Sequence, residues 1–92
     1  MSTIAIVGLG LIGGSLGLDF SRQGHRVIGI ARRAPTAEAA VALGAVQQGG
    51  TDLALVRSAR VVFLCTPLDQ LAPTARALSP YLGQESVVTD VG

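Results

Sequence analysis

The 92 residues contain no lysine and no tryptophan, one cysteine, one histidine, two phenylalanines and one tyrosine. Each scarcity removes a class of chemistry. Without lysine there is no Schiff base and no lysine-dependent phosphate loop. The single cysteine, Cys65, forms no internal disulfide framework, so a reducing, cytoplasmic setting is expected. His, Cys and Asp are never spaced as metal ligands, and no nucleophile stands beside a base. No apolar run approaches the roughly 18 residues of a membrane span. The N-terminus lacks the basic stretch that precedes the apolar run of a signal peptide. The net charge of +1 is too small to imply a nucleic acid or an acidic membrane as partner.

Apolar side chains and glycine are abundant. Hydrophobic residues make up 49% of the chain, and the mean hydropathy is +0.53. A chain this short predicts one small domain or a piece of a larger one. So apolar a balance also predicts surface meant for another domain, and marginal stability without it.

Thr3–Val7 is short, β-branched and continuous, as a strand covered on both faces should be. Residues 11–23 read as a helix, with Leu11, Ile12, Leu16 and Phe20 at helical spacing, Arg22 in the last turn and Gly24 as its stop. His25–Ile30 is a second strand. Pro35–Leu43 is an alanine-rich helix ended by Gly44. The stretch AVQQGG predicts a short strand at Ala45–Gln47. Asp52–Ser58 reads as a short helix and Arg60–Cys65 as a strand. Leu68–Leu82 is helical, with one turn near Pro67–Gln70 and a helix starting close to Pro73. Ser86–Asp90 is a last strand. Strands alternating with helices predict an α/β fold. With right-handed crossovers, the expected architecture is a doubly wound, Rossmann-type parallel sheet of order 3-2-1-4-5. The chain stops at Val91-Gly92 directly off a strand, which reads as a cut before the rest of a longer protein.

The stretch IAIVGLGLIGGSLG, Ile4 to Gly17, sets bare backbone among large apolar side chains. Gly8, Gly10 and Gly13 fit G-x-G-x-x-G, and here the pattern follows a predicted strand and opens a predicted helix. In that context Gly8 turns the chain sharply off the strand. Gly10 leaves room for a pyrophosphate, and Gly13 lets the helix pack close to the sheet. Gly14 and Gly17 are expected to extend the close packing. The amides of Leu11, Ile12 and Gly13 face the ligand with the helix dipole behind them. The competing reading is a tight strand–helix turn with no ligand.

A dinucleotide site of the NAD type needs an acidic residue about 20 positions on, at the end of the second strand, to accept the ribose hydroxyls. That end reads IGIARR. Ala31 occupies the acidic position and Arg32 and Arg33 follow, where a 2′-phosphate would lie. Asp19 is too early and Glu38 too late. A charge-assisted hydrogen bond from arginine contributes roughly 1.5–3 kcal/mol, or about tenfold to a hundredfold in affinity. The expected cofactor is therefore NADP rather than NAD. The alternative is two solvated charges on a loop.

Cys65, Thr66 and Pro67 follow the strand whose carboxyl end borders the expected crevice. Cys65 is read as packing beside the cofactor, not as a nucleophile, because no base is near it in sequence. His25 is a surface residue at the opposite edge of the sheet. Asp69 is a first-turn helix charge. Asp90 has two readings, orienting a cofactor or loop at the crevice, or capping a following helix.

VGLGLIGGSLG, with FLCTP and VVTDVG, resembles the N-terminal domain of the prephenate/arogenate dehydrogenases of tyrosine biosynthesis, across essentially the whole chain. The doublet Gly13-Gly14 before Ser15-Leu16, and Thr89-Asp90-Val91, separate it from a generic dinucleotide motif. GLGxxG alone also suits imine reductases, pyrroline-carboxylate reductases and hydroxyisobutyrate-type dehydrogenases. A stand-alone nucleotide-sensing module is a third reading. The resemblance implies an oxidative decarboxylation of arogenate or prephenate, with hydride passing to the nicotinamide. Its cofactor contacts carry over to Gly8, Gly10, Leu11, Ile12, Gly13, Ala31, Arg32, Arg33, Cys65, Thr66 and Pro67. The arginine doublet is similar to NADP-using arogenate dehydrogenases, whereas NAD-using relatives carry aspartate at the position of Ala31. The family's catalytic histidine and helical dimerisation domain would lie beyond residue 92. The 92 residues are thus expected to bind cofactor without turning over substrate, within a homodimer formed through the missing domain.

Overall fold

The computed structural model describes residues 2–83 and 86–90. Val91 and Gly92, read from the sequence as an abrupt stop, lie outside the described residues. Five parallel strands form one sheet: β1 Thr3–Val7, β2 Arg26–Ile30, β3 Gln48–Gly50, β4 Val61–Leu64 and β5 Val87–Asp90. Their order is β3-β2-β1-β4-β5, the doubly wound arrangement expected. Among the described residues there are also three α-helices, α1 Leu11–Arg22, α2 Ala34–Ala42 and α3 Leu71–Leu78, and three 3-10 turns, Leu53–Ser58, Leu68–Gln70 and Ser79–Tyr81. No helix among the described residues is long and apolar enough to cross a membrane.

β1 shows why its sequence is apolar throughout. Side chains alternate across a strand, so Ile4 and Ile6 pack into one layer and Ala5 and Val7 into the other. The first layer is closed by Leu16 and Phe20 of α1 and Ala40 of α2. Phe20 stacks there on Phe63 of β4, with ring centres 5.2 Å apart. The second layer holds Val56, Val62, Leu64 and Leu78, covered by the Leu53–Ser58 turn and α3. Both faces of the central strands are thereby dry, as a parallel sheet requires, while Val87 and Val88 of the edge strand β5 stay exposed.

Five sequence expectations change. The third strand is Gln48–Gly50, not Ala45–Gln47. Ala45 and Val46 are buried, which gives them a strand's apolarity, but their polar contacts are not those of a ladder. Ser21 Oγ donates to the Ala45 carbonyl at 3.0 Å. The Gln47 side chain accepts from the Val27 amide at 2.6 Å and donates to Ser21 Oγ at 3.0 Å. Gln47 thus meets Val27 half by backbone, its amide donating to the Val27 carbonyl at 2.9 Å, and half by side chain, and the register of β3 starts one residue later, Gln48 opposite Ile28.

Helix α3 starts at Leu71 rather than near Pro73. Pro73 falls in its first turn, where a missing N–H leaves no hydrogen bond unmade. The long helix expected to reach Leu82 ends at Leu78 and gives way to a 3-10 turn holding Pro80. Leu11 and Ile12 do not join the buried face of α1: they are 89% and 56% exposed. That face is made by Gly13, Leu16, Gly17 and Phe20. Gly17 packs on the Ala45 carbonyl oxygen, 2.5 Å from where a Cβ would stand, whereas a Cβ on Gly14 would meet nothing within 4 Å. Close packing extends to Gly17 and not to Gly14.

His25 sits at the amino-terminal edge of the sheet, away from the crevice as expected. It is half-buried, accepting from the Ser2 amide at 3.2 Å and meeting Phe20 edge-on.

The two glycines give opposite expectations by thermal denaturation. Gly17→Ala overpacks the helix against Ala45 and lowers stability by about 1–3 kcal/mol. Gly14→Ala adds a methyl to open space inside a helix and raises it by about 0.5–1 kcal/mol. Gln47→Ala strands the Val27 amide and is expected to destabilise by about 1–3 kcal/mol.

Candidate functional site: a cleft at the carboxyl ends of the strands

The order of the sheet reverses between β1 and β4, which lie side by side although two strands separate them in sequence. Loops leaving their carboxyl ends depart to opposite faces and leave a crevice between them. A cleft of about 1180 Å³ opens there, lined from Val7 to Gly10, from Ile30 to Arg33 and from Cys65 to Leu68.

Gly8 closes the floor of this crevice. Its φ is +102°, a conformation that L side chains rarely adopt. A Cβ there would lie 2.7 Å from the Cys65 carbonyl oxygen, so only glycine fits on both counts. Its amide donates to the Ile30 carbonyl at 2.8 Å, while the Cys65 amide donates to Val7 at 2.8 Å. The ends of β1, β2 and β4 are thus fixed to one another. Gly13, one turn into α1, packs directly on the Gly8 carbonyl oxygen.

Gly10 precedes the helix in extended conformation, with no side-chain cap and no acidic residue in the first turn of α1. A Cβ added to Gly10 would meet nothing within 4 Å. It would stand in open space on the cleft side, since Gly10 is one of the lining residues. The first amides of a helix have no partner within it and carry its positive dipole end. Together these features make a cradle of bare backbone that fits a diphosphate.

At the other end, Ala31 is buried, its amide donating to the Gly50 carbonyl at 2.9 Å. Arg32 and Arg33 follow, exposed on the cleft wall, and among the described residues they are the only charged side chains in its lining. Among the described lining residues there is no carboxylate and no imidazole, so the charge this wall presents is positive. The Cys65 thiol is raised above its ordinary pKa by desolvation. It therefore stays protonated at neutral pH, which suits a packing role and not a nucleophile.

Nine of the residues named from the sequence meet in the cleft: Gly8, Gly10, Ile12, Ala31, Arg32, Arg33, Cys65, Thr66 and Pro67. Gly13 lies beneath it as packing, and the Leu11 side chain points elsewhere, leaving only backbone to offer. Asp90 pairs in register with Leu64 at the end of β5, exposed and outside the cleft lining.

Sequence reasoning missed four polar residues, Thr36, Thr51, Gln70 and Thr74, which also line the cleft. Thr36 had a local signal, since it stands in the first turn of the helix that follows the arginines. Thr51 follows β3 at once, and the misplaced strand hid it. Gln70 and Thr74 arrive only because the crossover after β4 folds back over the crevice.

Comparison with known proteins agrees with this geometry. The profile of the family described as "Prephenate dehydrogenase, nucleotide-binding domain" matches residues 16–92. The prephenate dehydrogenase of Bacillus subtilis (strain 168) is 35% identical over 98% of this chain and 25% of its own length. The crystal structure of Synechocystis arogenate dehydrogenase superposes with a TM-score of 0.97 at 46% identity, covering 98% of this chain and 32% of that one. The prephenate dehydrogenase from A. aeolicus, solved with hydroxyphenyl propionate and NAD+, gives a TM-score of 0.89 at 32% identity, over 98% of this chain and 33% of that one. The chain therefore spans a quarter to a third of the length of these relatives. A fold, a glycine-floored crevice and a sequence match that all coincide make this chain a member of the prephenate dehydrogenase family, corresponding to its nucleotide-binding domain.

Proposed function

We propose that this domain holds a nicotinamide dinucleotide, NADP in preference to NAD, for the oxidative decarboxylation of arogenate or prephenate by a longer protein of tyrosine biosynthesis. The observation that carries the preference is the cleft wall at the end of β2. A buried alanine stands where a ribose-binding carboxylate would be, followed by the two guanidiniums that are the only charges lining the cleft among the described residues. Guanidinium groups recognise phosphate through paired, charge-assisted hydrogen bonds, and the neutral neighbour leaves an extra anion unopposed.

In this reading the backbone of Gly8, Gly10, Leu11, Ile12 and Gly13 cradles the diphosphate. Ala31, Arg32 and Arg33 take the adenosine end. Cys65, Thr66 and Pro67 line the approach to the nicotinamide. The bound nicotinamide supplies a hydride acceptor. The residues of this domain bind and orient, and Pro67 with the apolar wall keeps water out. Proton handling and contacts to the ring substrate belong to the remaining two-thirds or more of the enzyme. The proposed setting is a cytoplasmic homodimer formed through that remainder.

Calorimetric titration with both dinucleotides tests the assignment. The double substitution Arg32→Ala, Arg33→Ala is expected to weaken NADP about tenfold to a hundredfold and to leave NAD nearly unchanged. Ala31→Asp is expected to weaken NADP and strengthen NAD, by supplying a ribose acceptor and repelling the extra phosphate. An unaltered preference in both variants would refute the arginine reading.

A further inference from the structure

Beside the arginine wall the cleft has a stretch of different character. The 3-10 turn Leu53–Ser58 that follows β3 packs with α3 on one face of the sheet. That packing brings Gln70 and Thr74 to the cleft together with Ile30, Leu53, Pro73 and Ala77. The last four are apolar. Gln70 and Thr74 are half-buried and stand one helical turn apart, where side chains are neighbours. Gln70 directly precedes α3 but gives it no side-chain cap. Among the described residues neither side chain has a hydrogen-bond partner. Two polar groups that the fold does not use thus border aliphatic surface, close to where Ile30 leads into the arginines.

A purine base suits such a place. Its flat faces rest well on aliphatic side chains, and its edge is polar. On adenine that edge sets an amino donor beside a ring-nitrogen acceptor. A glutamine amide matches both: the adenine amino group donates to the amide oxygen, and the amide nitrogen donates to the ring nitrogen. We infer that Gln70 reads the polar edge of the adenine base, with the Thr74 hydroxyl beside it, so that base recognition is built from α3 and not from the strand ends. The inference rests on the dinucleotide reading and adds a second point of discrimination to it. In the free protein, water satisfies the amide. A base that displaces this water without replacing its hydrogen bonds binds less well.

The dissociation constants of four dinucleotides for the purified protein decide it: NADP, NAD and the etheno derivative of each. The etheno bridge removes the hydrogens of the adenine amino group and blocks the ring nitrogen next to it. The parent is expected to bind each etheno derivative about fivefold or more weakly than its adenine counterpart. Gln70→Leu keeps a side chain of similar size and removes the amide. It is expected to weaken NADP and NAD about fivefold or more. It should bind the etheno derivatives within about twofold of the parent, a tolerance below one hydrogen bond, so the preference for adenine collapses. A glutamine with a merely structural role would weaken all four ligands alike. A parent that binds etheno and adenine forms equally well overturns the inference without any variant. So does a Gln70→Leu protein that keeps the parent's preference, weakens all four alike or fails to fold. A parent that binds none of the four overturns the functional reading beneath it instead.

Discussion

Everything at the cleft depends on two stretches of main chain touching where β1 and β4 end. The Gly8 backbone lies against the Cys65 carbonyl, and Gly13 lies against the Gly8 carbonyl in turn. A methyl group at either place would push the first helix off the sheet or part the two strands. Since the crevice is the gap left as the loops diverge from this contact, its floor is set by the van der Waals radius of backbone atoms. Interiors packed to this density yield little to insertion of even one carbon. The amides at the start of α1 are held in direction by that packing, without any side-chain cap.

A site built this way separates affinity from identity. The backbone cradle and helix dipole attract any diphosphate, and they do so without a charged residue. In the proposed function, discrimination falls to the far end of the cleft, where Arg32 and Arg33 stand. The match of this chain to both an arogenate dehydrogenase and an NAD+-bound prephenate dehydrogenase fits that division. The frame superposes closely, and Arg32 and Arg33 stand exposed just after β2. Those residues sit on a surface loop anchored at one point, the Ala31 amide on the Gly50 carbonyl, so their side chains can change while the main chain stays put.

Much of the fold was legible because its signals are local. The β-branched run Thr3–Val7 and the glycine spacing after it require no knowledge of distant residues. Regular alternation of strand and helix, joined to the handedness of crossovers, was enough to order the sheet. The failures have one cause. Ala45–Gln47 carries the apolarity of a strand, yet a glutamine side chain supplies the pairing that the strand would have made. Leu11 and Ile12 have helical spacing with the core positions, yet the close approach forced by Gly13 and Gly17 leaves them on the rim. In both cases a contact made in the folded structure, Gln47 on Val27 in one and Gly17 on Ala45 in the other, overrode a valid local preference.

The amino-acid order alone determined that this chain forms a parallel sheet with a bare-backbone turn after its first strand, and that two guanidiniums replace a carboxylate after its second. These are properties of residue type and short spacing, fixed by conformational freedom and charge. Only the folded arrangement decided which groups share the cleft with that turn. Thr36, Thr51, Gln70 and Thr74 come from four separate positions along the chain, and Thr66 is left with a buried hydroxyl that no neighbour satisfies. Burial and proximity of that kind arise when the crossovers close over the sheet, and no stretch of sequence carries them by itself.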